Sequence, residues 1–381
     1  MASTSRHVFH LKDSTPFFKS EHGSIQRATS NELPILKGMS LKRLVLEPKA
    51  IREPHWQVQS ALYTDEHLLN EWILISSTRH ANTIELTYCV SGSTIVSICD
   101  SHSKFSTFTI AAGQMFHVDS GSLHHIENLS DMESAELLVC FRHENPEDFG
   151  LSAAFGAMTP SVLGNTFNLS SSEFENMGFS TEDQKIIVRK GPPTIPSTAS
   201  HQDPHKFDVE GSEPALQGEG IGSARLAKQS TWPTLKTMAM YSLRVEDTAM
   251  REPHWHPVTA ELGYVHEGQA RMTILDPDGS TDTYTLKPGD MYFIPAAYPH
   301  QIEVLPEGGK KIHFCIFFDQ PMPLDIGYKA SAEIVSHEVM AATLKVDPSD
   351  MPRMQGTTGS PLLVRRMNQV DAVTSWTKPR L

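Results

Sequence analysis

The feature that most constrains the fold of this chain is a segment that occurs twice. Residues 251–261 read Arg-Glu-Pro-His-Trp-His-Pro-Val-Thr-Ala-Glu, and residues 52–56 repeat the opening Arg-Glu-Pro-His-Trp. The first copy then breaks off and resumes at residues 80–85, which read His-Ala-Asn-Thr-Ile-Glu. Another histidine follows 39 residues after the glutamate in both copies, as His124 and His300. Three histidines and one carboxylate at matched spacing predict two metal sites on two copies of one domain.

The repeat extends over most of the chain. The shift between the copies is 199 residues before the break, 176 after it and 177 near the end of each half. The aligned pairs include Gly23 with Gly222, Pro34 with Pro233, Gly92 with Gly268, Gly113 with Gly289 and Gly150 with Gly327. A chain of 381 residues suits two domains. The Gly-Pro-Pro-Thr-Ile-Pro run at 191–196 predicts a linker, so we expect an N-terminal domain at 1–190 and a C-terminal domain at 191–381.

Each half is predicted to form mostly β-strands. Residues 238–245 and 270–275 alternate between apolar and polar side chains, and residues 312–318 are strongly apolar. Asp-Pro-Asp-Gly at 276–279 and Lys-Pro-Gly-Asp at 287–290 are turn signals. Short strands between such turns predict an all-β chain of two tandem antiparallel barrels of the jelly-roll type, each followed by short helices.

The uninterrupted copy offers four candidate metal ligands, which are His254, His256, Glu261 and His300. His254 and His256 are two residues apart on a predicted strand, so both side chains face the same side. Three imidazoles and one carboxylate leave one or two positions open on an octahedral ion. Such mixed ligands suit Mn²⁺, Fe²⁺, Ni²⁺ or Zn²⁺, and the open positions predict that a substrate or O₂ binds there.

The motif of this copy is His254-x-His256-x4-Glu261, then Gly268, then Pro288-Gly-Asp290-x4-Pro295-x4-His300. It resembles the two-part signature of the cupin superfamily. In its doubled form, with Arg251 three residues before the first histidine, it resembles the bicupins of the oxalate decarboxylase family over nearly the whole chain. The resemblance implies one metal ion per cupin barrel, usually Mn²⁺, with Fe²⁺ as the alternative. It also implies that Arg251, and Arg52 in the first half, bind a substrate carboxylate, which a guanidinium can hold with two parallel hydrogen bonds.

The decarboxylases of that family also use an acid on a mobile lid after the last metal histidine. The Ser-Glu-Asn-Ser-Thr motif of that lid is missing here, and residues 144–150 read Glu-Asn-Pro-Glu-Asp-Phe-Gly. We predict that Glu147 or Asp148 supplies the acid, and Asp319 and Asp325 are the acidic residues after the second site. Without a suitable proton donor, the same metal centre would oxidise oxalate to CO₂ and H₂O₂, or act on another small carboxylate.

The first copy is interrupted by the 23 residues 57–79. The ligand set predicted around this break is His55, His80, Glu85 and His124. An insertion inside a ligand strand is unusual because insertions concentrate in loops, and 23 codons have the length of a short intron. Our hypothesis is that this segment comes from an unspliced intron or a wrong gene model. If the insertion is real, either the four ligands still converge, which we favour, or Gln57 takes the place of the second histidine.

The composition excludes some classes of partner and compartment. The 32 basic and 45 acidic residues give a net charge of −13, which argues against nucleic acid or an anionic membrane as a partner. The four cysteines show no paired spacing, which predicts free thiols in a reducing compartment. The first twenty residues hold no apolar run of signal-peptide length, and no stretch is apolar enough to cross a membrane. We therefore expect a cytoplasmic protein.

The leading functional hypothesis is a metal-dependent bicupin enzyme that converts oxalate, or a similar small carboxylate, into formate and CO₂. O₂ is a further expected partner, and a homo-oligomer is the expected assembly. One alternative is an oxalate oxidase, and another is an Fe-dependent dioxygenase or isomerase of a secondary metabolite, which would need a roomier, more apolar pocket. The third alternative is a non-enzymatic storage or binding bicupin, which would not need complete sets of metal ligands.

Overall fold

The chain folds into two compact units, each built around one copy of the repeat. The structure is a computed structural model that describes residues 6–59, 83–100, 104–199, 201–357 and 362–371. The first unit runs from Ser14 to Asp208, and the second combines the residues up to Asp13 with those from Val209 onward. The sequence repeat places the division between residues 190 and 191. In the structure, the segment that follows the linker packs with the first unit, and the N-terminal segment packs with the second.

The strands of the first half, in chain order, are β1 (Val8–Phe9), β2 (Phe18–Ser20), β3 (Gly23–Ala28), β4 (Ser40–Leu46), β5 (Ala50–Gln59), β6 (Glu85–Ser91), β7 (Ser93–Cys99), β8 (Phe105–Ala111), β9 (Gln114–Val118), β10 (Leu123–Asn128), β11 (Ala135–Phe141), β12 (Pro146–Gly150) and β13 (Ile186–Val188). Those that follow are β14 (Lys206–Asp208), β15 (Leu216–Gly218), β16 (Gly222–Ala227), β17 (Ala239–Glu246), β18 (Ala249–Trp255), β19 (Glu261–Glu267), β20 (Ala270–Leu275), β21 (Thr281–Leu286), β22 (Met291–Ile294), β23 (His300–Val304), β24 (Lys311–Phe318), β25 (Ile326–Gly327) and β26 (Leu363–Arg365).

The first unit consists of two antiparallel sheets. Within the described residues, one sheet has the order β14-β9-β6-β11-β4-β3-β2, and the other has the order β12-β5-β10-β7-β8 with β13 also paired to β5. Buried side chains from both sheets form one core, for example Leu44 and Val139 from the first sheet and Val96 and Ile126 from the second. Alternate residues of each strand face this core, which is the pattern that the sequence predicts for half-buried strands.

The second unit repeats this architecture. Its two sheets, counted over the same described parts of the chain, have the orders β1-β22-β19-β24-β17-β16-β15 and β21-β20-β23-β18-β25, and β26 also pairs with β18. Strand β1 comes from the N-terminal segment, and Val8 lies opposite Tyr292 of β22. The core includes Leu243, Ile302 and Phe314. The predicted all-β fold of two tandem jelly-roll barrels is confirmed.

Two aligned glycines connect corresponding strands in the two units. Gly92 joins β6 to β7, and Gly268 joins β19 to β20; their φ values are 82° and 81°. Both angles lie in the left-handed region, where a Cβ atom is strained. A Cβ on Gly92 would also come within 2.7 Å of the Ala135 Cα, and one on Gly268 within 2.2 Å of the Lys311 carbonyl oxygen. The repeat keeps glycine here because no other residue fits the turn.

Short helices follow each barrel, namely α1 (Leu151–Gly156), α2 (Pro160–Phe167), α3 (Tyr328–Ile334) and α4 (His337–Leu344). The Thr159 side chain caps α2 by accepting a hydrogen bond from the Val162 N–H, and Ser336 caps α4 in the same way. All four cysteines are free thiols. Among the described residues, no helix is both long and apolar enough to cross a membrane.

Candidate metal centres

Four buried side chains of the second unit converge inside its barrel. Each of His254, His256, Glu261 and His300 offers one ligand atom, and these atoms all lie within 4.8 Å of one another. His254 on β18 lies directly opposite His300 on β23, and Glu261 begins β19. The pairing of the non-consecutive strands β18 and β23, and the packing of β19 in the other sheet of the same unit, thus bring together residues that are far apart in the sequence.

Backbone carbonyls fix the orientation of two imidazoles in this group. The His254 Nδ1 lies 2.7 Å from the Glu252 carbonyl oxygen, and the His300 Nδ1 lies 2.9 Å from the Tyr298 carbonyl oxygen. A carbonyl oxygen only accepts hydrogen bonds, so each Nδ1 carries the proton and each Nε2 keeps a lone pair for a cation. The Nε2 of His300 is buried and has no hydrogen-bond partner within the described chain.

The carboxylate of Glu261 is held by the groups around it. It receives a hydrogen bond from the Tyr292 hydroxyl at 2.6 Å, and its other oxygen lies 2.8 Å from the His256 Nε2. Burial acts to raise the pKa of Glu261, but the neighbouring His300 and His256 outweigh burial and hold the pKa well below its usual range. An ionised carboxylate beside imidazole lone pairs in a buried position fits a divalent cation.

His256 lies between two carboxylates, and its pKa is raised. Burial acts to lower the pKa of His256, but hydrogen bonds to Asp325 and Glu261 raise it to about 9. The His256 Nδ1 lies 2.9 Å from an Asp325 oxygen. Proton and cation therefore compete for His256, and Asp325 keeps the ring aimed at Glu261.

The first unit contains a matching group, His55, Glu85 and His124, whose ligand atoms also lie within 4.8 Å of one another. His55 on β5 faces His124 on β10, and the His124 Nε2 lies 3.2 Å from a Glu85 oxygen. The His55 Nδ1 contacts the Glu53 carbonyl oxygen at 2.8 Å, and the His124 Nδ1 contacts the Ser122 carbonyl oxygen at 3.0 Å. These three residues thus use the donor pattern of the second unit.

The fourth ligand of the first group falls at the interrupted segment. His80 lies outside the described residues, so its predicted convergence with the other three stays a prediction. Strand β5 continues past Trp56, and Gln57 stands at the position that corresponds to His256. Gln57 is buried at 3% exposure, and its Oε1 has no hydrogen-bond partner among the described residues. Gln57 therefore lines the site at the place of the second histidine.

A buried arginine and an aspartate form an ion pair beside each ligand group. Arg52 pairs with Asp148, and Arg251 pairs with Asp325. Burial acts to raise the pKa of Asp148, but Lys42 and Arg52 outweigh it and hold that pKa far below its usual range. Each unit thus holds an ionised carboxylate at the guanidinium predicted to bind a substrate carboxylate.

The two predicted acids of the first unit separate on strand β12. Asp148 lies opposite Gln57 and faces inward to Arg52, whereas its neighbour Glu147 is exposed. Successive side chains on a strand point to opposite faces, so only one of the two can reach the site. The structure therefore does not bring Glu147 to the ligand group. Asp325 occupies the corresponding place in the second unit, and the Asp319 carboxylate accepts a hydrogen bond from the Ala260 N–H.

Lys42 is a site residue that the sequence analysis missed. Its Nζ lies 2.8 Å from the other Asp148 oxygen, and its side chain lines the same cavity as Arg52. Burial lowers the pKa of Lys42, and Asp148 opposes this effect. The sequence feature that could have indicated this role is the spacing on β4, where Lys42 faces the same side of the strand as the core residues Leu44 and Leu46. At the shift of 199 residues the second unit has Tyr241 in this place.

Both cavities are small in this conformation. The cavity of the first unit measures about 20 Å³, and that of the second about 10 Å³. A cavity needs roughly 10–15 Å³ to hold one water molecule. A carboxylate substrate does not fit beside these ion pairs in this conformation, so its binding at the arginine requires that Asp148 or Asp325 move away.

Comparisons with known proteins agree with this architecture. The family model described as Cupin matches residues 9–63, 75–175 and 212–351. The oxalate decarboxylase OxdC of Bacillus subtilis is 28% identical over 291 residues, which cover 74% of this chain and 68% of that protein. A probable oxalate decarboxylase of Arthroderma benhamiae is 23% identical over 338 residues, which cover 85% of this chain and 75% of the relative. The predicted resemblance is confirmed.

Solved structures extend the similarity to three dimensions. A structure of the Bacillus subtilis oxalate decarboxylase, studied for its Mn(II) centres, matches with a TM-score of 0.77. The match covers 96% of this chain and 90% of that one at 24% identity. At this level of identity, the similarity shows a common fold.

Proposed function

This chain belongs to the cupin family, and on that basis we propose that it is a manganese-dependent enzyme that converts oxalate into formate and CO₂. One observation carries the proposal. In each unit a buried arginine beside the histidine and glutamate ligands already holds a carboxylate, Asp148 on Arg52 and Asp325 on Arg251. A substrate carboxylate has the same charge and the same planar shape, so it can take that position. The relatedness to proteins named oxalate decarboxylases supports oxalate as the substrate.

The ligand groups support one divalent metal in each unit. His254, His256, Glu261 and His300 would hold it in the second unit, and His55, Glu85 and His124 in the first, completed by His80 or Gln57. Mn²⁺ is favoured because the related decarboxylase has Mn(II) centres and because imidazole and carboxylate suit this ion. When bound, such an ion supplies Lewis acidity and the capacity to exchange an electron with substrate or O₂.

We assign substrate binding in the first unit to Arg52 and Lys42. Both cations contact the carboxylate of Asp148, one at each oxygen. When Asp148 moves away, the two cations are left to bind an incoming carboxylate with charge-assisted hydrogen bonds. The surrounding core residues, such as Leu44, Val139 and Phe141, exclude water and strengthen those bonds.

We assign the proton transfer of the first unit to Asp148. Hydrogen oxalate and the products CO₂ and formate contain the same atoms and electrons, so one proton leaves an oxygen and one arrives at carbon. Once a substrate takes its place on Arg52 and Lys42, Asp148 loses the two cations that hold its pKa low. It then becomes basic enough to accept the acidic proton and to return it to carbon.

In the second unit, a substrate carboxylate would replace Asp325 less easily than it would replace Asp148 in the first. Asp325 bonds to the ligand His256 as well as to Arg251, and Tyr241 replaces the second cation. Displacing Asp325 would leave the His256 Nδ1 with only the Leu324 carbonyl oxygen at 3.1 Å, whereas Asp148 contacts none of the ligand histidines of the first unit in this way, since His55 and His124 are held by backbone carbonyls. We therefore place turnover in the first unit and metal binding without equal turnover in the second. The small cavities do not favour a bulky secondary metabolite in either unit.

An assay of products tests this function. Purified protein loaded with Mn²⁺ is incubated with oxalate at mildly acid pH, and CO₂, formate and H₂O₂ are measured. We expect equal amounts of CO₂ and formate, with little H₂O₂. Absence of oxalate consumption contradicts the proposal, and H₂O₂ in place of formate identifies an oxidase instead. Glu147→Gln, which changes an exposed neighbour of Asp148, is the control that should keep full activity.

A further inference from the structure

A third cluster of potential ligands lies outside both ligand groups. His117 belongs to β9, Asp119 follows that strand directly, and His205 precedes β14. One ligand atom from each of these residues lies within 4.8 Å of the other two. From this geometry we propose that His117, Asp119 and His205 form an additional, surface-accessible site for a divalent transition metal such as Zn²⁺.

The pairing of β9 with β14 places the three side chains together. The His117 N–H donates to the His205 carbonyl oxygen at 2.9 Å, so these residues lie opposite each other across the ladder. Their rings are nearly parallel, at 18°, with centroids 6.5 Å apart. Asp119 is two residues beyond His117 and faces the same side of the strand. Its Oδ1 lies 3.8 Å from the His117 Nδ1.

The tautomer of His205 suits a metal ligand. Its Nδ1 lies 2.9 Å from the His117 carbonyl oxygen, so this nitrogen carries the proton and the Nε2 keeps its lone pair. The ligands of both barrels are oriented by a backbone carbonyl in the same way. Two imidazoles and one carboxylate form a ligand set typical of Zn²⁺ with an open fourth position.

The three side chains of this cluster become more exposed from His117 through His205 to Asp119. His117 is 2% exposed, His205 is half-buried, and the side chain of Asp119 is 55% exposed. A hydrated cation can therefore reach the carboxylate first and then exchange its waters for the imidazoles. Such a site exchanges metal with solvent, unlike the enclosed barrel centres.

The repeat shows that the fold does not require these donors. At the shift of 176 residues, Phe293 and Pro295 take the places of His117 and Asp119. His7 is the counterpart of His205 in the second unit, with its Nδ1 2.9 Å from the Phe293 carbonyl oxygen, and the acidic residues near it are Asp276 and Asp282, which come from other positions. One histidine held by a backbone carbonyl is thus common to both units, whereas His117 and Asp119 are particular to the first.

The proposal is tested by metal stoichiometry. Metal-free protein is titrated with Zn²⁺ against a chromophoric chelator, and the equivalents bound are compared between wild type and variants. His117→Phe introduces the residue that the second unit has in this place, so the fold should be retained, and unchanged far-UV circular dichroism verifies it. We expect His117→Phe and His205→Ala to bind one equivalent fewer than wild type. His201→Ala, which changes a nearby exposed histidine, should bind the same number as wild type.

Thermal stability gives a second readout. Metal bound between β9 and β14 stabilises the folded state, so excess Zn²⁺ should raise the Tm of wild type more than that of His117→Phe. The metal ligands inside the barrels are the same in wild type and in His117→Phe, so any rise in Tm from Zn²⁺ bound there is the same in both and cancels. Wild-type stoichiometry in His117→Phe overturns the proposal. Because oxalate is absent from the experiment, its result is independent of the enzymatic activity.

Discussion

The Nζ of Lys42 lies 2.8 Å from a carboxylate oxygen of Asp148, inside the first barrel, and the second barrel has no such pair among its described residues. Tyr241 stands in the place of the lysine there, and Asp325 bonds to a ligand histidine instead. The two units thus share a fold and a ligand pattern but differ in the charges that face a bound anion.

Replacing Lys42 should weaken substrate binding. Lys42→Met keeps the length of the side chain but removes one charge-assisted hydrogen bond, which is worth roughly 1.5–3 kcal/mol. We therefore expect the Kd of oxalate, measured by calorimetry, to rise by roughly tenfold or more. Lys42→Arg should restore part of the affinity, and Tyr241→Phe in the second barrel should leave it unchanged. An unchanged Kd in Lys42→Met would mean that Lys42 does not contact the substrate.

Removing the carboxylate of Asp148 should affect turnover more than binding. Asp148→Asn cannot accept and return a proton, so we expect kcat to fall by about 10²–10⁴-fold. KM should not rise and is expected to fall, because the neutral amide no longer competes with the substrate carboxylate for Arg52 and Lys42. Steady-state formate production measures both constants, with Glu147→Gln as the matched control. A rise in KM at constant kcat would assign Asp148 to binding alone.

Residues 57–79 are predicted to be absent from the native protein. Without them, His80 follows Trp56 directly and takes the place of Gln57, which corresponds to His256. The match to the cupin family is itself interrupted between residues 63 and 75. Peptide mass spectrometry of the native protein should detect a peptide that joins Trp56 to His80. Detection of a peptide from within 57–79 would refute this hypothesis.

The metal affinity of the first unit shows whether residues 57–79 disturb its ligand group. A chain made without residues 57–79 would have three histidines and one glutamate in the first group, as in the second. We expect its first site to bind Mn²⁺ at least about tenfold more tightly than that of the chain with the segment. Equal affinities would indicate that His80 already ligates in the longer chain, as in the convergent arrangement.

Acid should destabilise the second unit through His313. Burial lowers the pKa of His313 to about 2, whereas the unfolded chain has a value of about 6.5. Between these values the unfolded state binds more protons, so the free energy of unfolding falls as the pH drops below about 6.5. The stabilisation from burying the neutral ring is complete above that pH.

His313→Gln should therefore reduce the loss of stability in acid. Glutamine can still bond to the Ser242 hydroxyl, which lies 2.8 Å from the His313 Nε2, but it does not titrate. Each buried neutral histidine contributes up to about 1.4 kcal/mol per pH unit. Urea denaturation between pH 4 and 7 should show a shallower pH dependence for His313→Gln. The exposed His201→Gln should follow wild type.

Much of the fold could be predicted because the repeat and the turn residues are local signals. Gly92 and Gly268 align in sequence and also have the same positive φ, since the turn excludes other residues. His254 and His256 both reach the ligand group as expected, although β18 ends at Trp255 and His256 lies just beyond the strand. The exchange of end segments between the units was not predicted, because strand β1 pairs with residues more than 280 positions away. Sequence periodicity carries no information about such a partner.

The candidate sites could be predicted only in part. The histidines and glutamates stand in motifs, but the ion pairs between Arg52 and Asp148 and between Arg251 and Asp325 depend on how two strands align. Lys42 belongs to no motif, and only its contact with Asp148 in the structure indicates a role in the site. The choice between Glu147 and Asp148 depended on which face of β12 points inward. Self-association remains a prediction.

Strand β1 also has a consequence for biosynthesis. It is synthesised before the other described strands, yet its partner β22 is made only after more than 280 further residues have been added. Residues 14–208 can fold during that interval, because all the strands of their barrel are already available. The second barrel can acquire its edge strand only after β22 has been synthesised. The nascent chain must therefore keep the residues of β1 exposed and unpaired while the barrel beside them forms.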